Sequence, residues 1–173
     1  MKKSVKEEVR SLIKELNINC SVEEFIDKAD WCDISAFKNI SEEFIREFQN
    51  EVHWGCISES QKLSEGFIRE FQNEVNWDYI SAYQKLSENF IREFQNEVHW
   101  YYISKYQKIS EEFIRKLKDK VHWGLISKYQ KISENFIREF NLKIDPDNWL
   151  YKDKNFKLEK IKETGLYEFI DGD

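Results

Sequence analysis

Tryptophan recurs at fixed distance along this chain. Trp31, Trp54, Trp77, Trp100 and Trp123 are each separated by 23 residues, and Trp149 follows after 26. A constant period of this length restricts the chain to a repeat architecture, in which a unit too small to bury its own apolar face seals it against the next. Aligned on the tryptophans, the units read WGCISESQKLSEGFIREFQNEVN, WDYISAYQKLSENFIREFQNEVH and WYYISKYQKISEEFIRKLKDKVH. Five glycines and one proline in 173 residues are too few for the many turns of a β-sandwich. They suit helices joined by tight connections.

Two helix-start signals recur in every unit. The first is the serine of the Leu/Ile-Ser-Glu step: Ser41, Ser64, Ser87, Ser110 and Ser133. A serine there accepts a hydrogen bond from a first-turn N–H, and the acid after it faces the positive end of the helix. Leu63 before the serine and Ile68 four residues after it are placed as a hydrophobic staple. The second signal precedes each tryptophan: Asp30, His53, Asn76, His99, His122 or Asn148, with Val52 and Ile57 as its staple. One helix is thus predicted from each tryptophan for two turns, and a longer one from each Ser-Glu step for about three. Phe67, Ile68, Phe71 and Val75 form one apolar stripe on the longer helix. Trp54, Ile57, Ser58 and Gln61 share a face of the shorter one. The serine repeated at 35, 58, 81, 104 and 127 is small enough to sit where two helices approach closely. Neither helix persists alone in water, so stacking must hold both.

The ends depart from the pattern. Val5, Val9, Leu12, Ile13 and Leu16 predict an amphipathic helix in residues 1–19 that caps the array. CSVEEFIDKADW is a shortened unit, with Phe25 and Ile26 matching Phe44 and Ile45. After the only proline, Pro146, and Trp149, the pattern dissolves, and a helix or two are expected in 150–173. The predicted fold is an all-α solenoid of 23-residue α-hairpin repeats, occupying 20–149 of a single repeat domain with an N-terminal capping helix. Indole, isoleucine and phenylalanine groups are expected to be sealed at the joints between repeats.

The strings WDYISAYQKLSENFIREFQNEV and WYYISKYQKISEEFIR resemble a family of tandem short-repeat proteins from bacteriophages, prophages and giant DNA viruses. The resemblance covers residues ~20–170. It implies a viral origin and action on a host or viral protein, inhibition of a bacterial defence nuclease included. In such proteins a tail like WLYKDKNFKLEKIKETGLYEFID leads into a further small domain.

Where near-identical units differ, packing does not dictate the residue, so variation marks free surface. Tyr79, Tyr101, Tyr102, Lys105, Tyr106, Lys128 and Tyr129 occupy such positions on the shorter helices and form the candidate partner-binding set. Tyrosine is favoured at protein interfaces. Tyr83, Tyr106 and Tyr129 have a second reading, packing between neighbouring helices. Net charge runs −3, −2 and −2 over the 23-mers from Trp31, Trp54 and Trp77, then +3 and +1 over those from Trp100 and Trp123. With pI ≈ 5.3 and no sustained basic stripe, direct nucleic-acid binding is not expected. The acidic front half, through Glu42, Glu47, Glu51, Glu70 and Glu74, offers an alternative: an anti-CRISPR-like inhibitor occupying a basic groove on its target. A self-assembling array is a third possibility.

Other chemistry finds little support. His53, His99 and His122 recur one repeat apart, about 8–10 Å or more, too far to share a metal at ~2 Å. Helix capping is their expected role. Cys20, Cys32 and Cys56 lack metal-ligand spacing and suit reduced thiols in the cytoplasm. No phosphate loop, nucleophile elbow or convergent Ser/His/Asp set is present, so neither an enzyme nor a cofactor is expected. There is no apolar run of ~18 residues for a membrane span.

Overall fold

The computed structural model describes residues 1–143, 158–160 and 167–169. The fold is an all-α solenoid of 23-residue helical hairpins with an N-terminal capping helix. Two compact units divide the chain, Met1–Gln84 and Lys85–Asp173. The first holds α1 (Lys3–Glu15), α2 (Phe25–Lys28), α3 (Trp31–Phe37), α4 (Glu42–Glu47), α5 (Trp54–Ser60), α6 (Glu65–Glu70) and α7 (Trp77–Tyr83). In it α3 packs on α5, α5 on α7, and α1 on α4. The second holds α8 (Glu88–Glu93), α9 (Trp100–Tyr106), α10 (Glu111–Lys116), α11 (Trp123–Tyr129) and α12 (Glu134–Glu139), with α9 packed on α11.

Each hairpin seals one phenylalanine and two isoleucines. Phe44 with Ile34 and Ile45, Phe67 with Ile57 and Ile68, Phe113 with Ile103 and Ile114, and Phe136 with Ile126 and Ile137 are all 0–1 % exposed. Full burial of each such side chain contributes about 1.5–3 kcal/mol, which stabilises helices too short to persist alone. The tryptophans correct the expectation that they too are sealed. Trp31, Trp54, Trp77, Trp100 and Trp123 are only half-buried. An indole N–H needs an acceptor when it leaves water. Those of Trp31, Trp54, Trp77 and Trp100 donate to the carbonyls of Ile26, Gln49, Gln72 and Gln95, five residues back, at 3.0–3.1 Å. The indole therefore lies over the preceding turn, with Trp54 4.9 Å from Phe71 and Trp123 4.7 Å from Phe140. Trp149 lies outside the described residues.

The Ser-Glu helices are also shorter than predicted. They run six residues, one fewer than the tryptophan helices. Phe48 and Phe71 leave helical geometry at φ −111°, and the chain tightens into turns, Glu51 N–H to Phe48 carbonyl and Glu74 N–H to Phe71 carbonyl. Asn50 and Asn73 stand in these turns, a residue type that competes with helix for backbone hydrogen bonds. The stripe itself is right: Phe71 and Val75 are buried beyond the helix end.

The caps divide by residue type. Ser41, Ser64, Ser87, Ser110 and Ser133 accept from the N–H three residues on, at 3.1–3.2 Å. Asp30 and Asn76 each accept from two N–H groups. The histidines do not follow. His53 accepts from Cys56 N–H at a long 3.5 Å, and neither His99 nor His122 caps through its side chain.

Within each unit, a lattice of side-chain-to-backbone bonds ties one repeat to the next. Buried Gln84 donates to the carbonyls of Ser58 (3.0 Å) and Gln61 (2.7 Å) and accepts from Leu63 N–H (3.0 Å). Gln61 and Gln130 repeat the bracket on their own preceding repeats. The buried serines confirm close helix approach and add a bond: Ser35, Ser58 and Ser104 accept from the N–H of His53, Asn76 and His122. Glu42, Glu88 and Glu111 accept from the N–H of Ser64, Ser110 and Ser133 in the following repeat. Arg46 reaches forward to Glu70 at 2.8 Å and lies 4.9 Å above the Phe67 ring. Arg115 does the same with Glu139 and Phe136.

Helix α1 begins the lattice. Its Val5, Val9 and Leu12 are buried, and Glu8 takes the N–H and hydroxyl of Ser41 as a repeat glutamate would. Asn17 and Asn141, at φ 52° and 47°, end α1 and α12 in Schellman turns, closed by Ile18 N–H to Ile13 and Leu142 N–H to Ile137. Phe25 is buried as expected of the shortened unit, whereas Ile26 is 43 % exposed. In the tail, the expected helix gives way at Leu158–Lys160 (β1) and Tyr167–Phe169 (β2). These pair antiparallel, with Leu158 opposite Phe169 and Lys160 opposite Tyr167.

Two surface carboxylates give the fold a mild pH dependence. A hydrogen bond from Ser4, then Lys2, holds Glu43 below the usual carboxylate pKa, and Arg115 does so for Glu139. Groups depressed in the folded state stabilise it above the unfolded value and lose that contribution as pH falls through the folded one. Thermal midpoints are expected to hold down to about pH 4.5 and to fall below it, by a small amount because these groups are solvent-exposed.

Candidate functional site

The lattice consumes the inward positions of the tryptophan helices and leaves their outer face to vary. On α9, Ile103 and Ser104 point inward, at 0 % exposure. Residues 102, 105 and 106, spaced i, i+3, i+4, line the opposite side, with 101 one turn from 105. Tyr102 and Tyr106 stack at 6.2 Å and 20°, and Tyr101 meets Tyr102 edge-on at 5.5 Å. His99 lies 4.8 Å from Tyr102, and His122 lies 5.7 Å from Tyr101. These two histidines therefore belong to an aromatic surface.

Lys105 is the centre of this face. Its Nζ is 4.8 Å from the Tyr106 ring, 5.6 Å from Tyr129 and 5.9 Å from Tyr101. Its hydrogen bond with Tyr106 holds the ammonium pKa above that of an ordinary lysine. Lys128 is 5.6 Å from Tyr129. Cation–π attraction of this kind is worth about 0.5–1 kcal/mol at exposed sites. Tyr106 is 52 % exposed, and Tyr101 and Tyr129 are each 38 % exposed. The alternative of tyrosines packed between helices does not describe Tyr83, Tyr106 or Tyr129. Between the C-terminal ends of α9 and α11 lies a cleft of about 520 Å³, lined among others by Lys105, Tyr106, Lys108, Tyr129 and Lys131.

Six of the seven residues in the candidate set come together in the second unit. Tyr79 belongs to the first, where it lies 6.0 Å from Tyr83. The acidic set lies wholly in the first unit, and three of its members are engaged. Glu42 takes Ser64 N–H and faces Arg46 at 3.6 Å, Glu47 pairs with the N-terminal amine at 3.1 Å, and Glu70 pairs with Arg46. Glu51 and Glu74 are exposed. The three cysteines are free thiols; burial, then neighbouring Cys32, pushes the Cys56 pKa up. Among the described residues no group of three His, Cys, Asp or Glu could hold a metal ion, and no helix is long and apolar enough to cross a membrane.

Sequence reasoning missed the bracket glutamines. Gln61, Gln84, Gln107 and Gln130 stand seven residues after successive tryptophans, and a polar residue repeated on an apolar face was the available signal. Comparison with protein families, curated proteins and solved structures finds no match for this chain.

Proposed function

We propose that this chain is a non-enzymatic protein-binding module that docks its partner on the lysine–tyrosine face of α9 and α11. One observation carries the reading. Three exposed tyrosines, Tyr101, Tyr106 and Tyr129, surround the half-buried Lys105 at positions that the repeat lattice leaves unconstrained. Rigid aromatics with a polar tip bury much area at little entropic cost, which is why they serve as interface anchors. The likeness of the repeat strings to viral tandem-repeat proteins directs the search to a host or viral protein as partner.

Replacing Tyr101, Tyr106 and Tyr129 together by serine tests the assignment. The lattice contains none of these side chains, so circular dichroism and thermal midpoint are expected to stay close to native. Proteins retained from host lysate by the native chain should be lost, since anchor residues are each worth about 2 kcal/mol, or ~30-fold in Kd. Tyr83→Ser, on the first unit, is the control and leaves capture unchanged. Retention of every partner by the triple variant would refute the surface assignment.

A further inference from the structure

The chemistry of the partner follows from the charge on the docking face. From His99 to Ser110 the chain carries Lys105 and Lys108 and no acid, and from His122 to Ser133 it carries Lys128 and Lys131 and no acid. The corresponding first-unit stretches each hold at least one acid: Asp30 and Asp33, then Glu59, then Asp78. In the fourth and fifth repeats the glutamates lie on α10 and α12 and are already engaged. Glu111 takes Ser133 N–H, Glu112 pairs with Lys116, Glu134 with Arg138, and Glu139 with Arg115. Among the described residues no carboxylate pairs with Lys105, Lys108 or Lys131. Three of these four lysines line the cleft between α9 and α11.

Resting on the docking reading above, we infer that the cleft between α9 and α11 receives an extended acidic peptide segment of the partner protein, its carboxylates set against Lys105, Lys108 and Lys131 and an aromatic or aliphatic side chain against Tyr106 and Tyr129. The spacing follows from the fold. Equivalent positions on α9 and α11 lie one helix-packing distance apart, about 8–10 Å. An extended chain rises ~3.3 Å per residue, so acids about three residues apart match successive lysines. A single-stranded nucleic acid is the weaker fit. A patch of four lysines on a chain of net charge −6 releases few counterions.

The test uses the full chain and fluorescence anisotropy with three labelled probes: a short peptide with glutamates three apart around a phenylalanine, the same peptide with lysine for glutamate, and oligo-dT. The acidic peptide is expected to bind, and the other two are not. Lys105→Gln with Lys131→Gln should weaken it about tenfold, as should raising salt from about 50 to about 500 mM. Failure of the acidic peptide, equal binding of the basic one, or preference for oligo-dT overturns the inference. A random peptide library selected on the same chain separates this inference from the docking reading. Selected peptides that lack acids but need Tyr106 and Tyr129 would remove the acidic class and leave the docking surface. Peptides indifferent to Tyr106→Ser/Tyr129→Ser, or none selected, would remove both.

Discussion

Phe67→Ala is expected to destabilise the first unit by about 3–5 kcal/mol, the range for deleting a fully buried ring from a packed core. Phe67 is 0 % exposed, 4.7 Å from Phe71, 6.2 Å from Trp54, and covered by the Arg46 guanidinium. Its loss removes apolar burial, two ring contacts and the surface on which Arg46 lies, and leaves a cavity that short helices joined by tight turns cannot collapse to fill. Repeat arrays share stability between nearest neighbours, so the damage should be local. Hydrogen exchange read by mass spectrometry should speed up most at the amides of α5 and α6, and least at those of α10 to α12. Uniform acceleration along the chain, or a loss below about 1 kcal/mol in chemical denaturation, would contradict this account of the joint.

Gln84→Leu should cost about as much, although it adds apolar bulk. The native amide satisfies three buried backbone groups at once, Leu63 N–H and the carbonyls of Ser58 and Gln61. Leucine fills similar space and bonds none of them, and each orphaned buried group costs about 1–3 kcal/mol. A total near 3–5 kcal/mol is expected. Gln49→Leu, the same exchange at an exposed position, should shift stability by less than about 0.5 kcal/mol. If the two variants melt alike, the bracket is not a principal tie between repeats.

Much of the fold was legible in the sequence because periodicity is a long-range signal. The 23-residue spacing, the Ser-Glu steps and the Phe-Ile pairs predict the hairpins, the caps and the core, and α1 buries three of the five residues in its predicted stripe. Legibility ended where one repeat position serves two geometries. Asn76 and His99 hold the same offset, yet only the amide oxygen of Asn76 caps its helix. Tryptophan signals burial by its bulk, but its N–H draws the ring to a turn carbonyl and leaves it half-exposed. The glutamines are inconspicuous because a polar residue on a helix face ordinarily means solvent. Recognising a bracket requires knowing that backbone groups 21–26 residues earlier point at it. The tyrosine row was visible from variation between units, whereas the placement of Lys105 among three rings depends on packing of α9 against α11.

The reach of the lattice has a consequence for how such a chain can arise. The glutamine brackets and the Arg46–Glu70 and Arg115–Glu139 pairs end in the adjacent repeat, and Glu8 shows that a non-repeat helix can supply the first acceptor for a backbone N–H. Recombination between near-identical coding segments would therefore insert or excise a complete hairpin while leaving no backbone group stranded. A lineage carrying this chain can lengthen or shorten it in whole steps, and reshuffle its outward tyrosines and lysines, without repairing the interior afterwards.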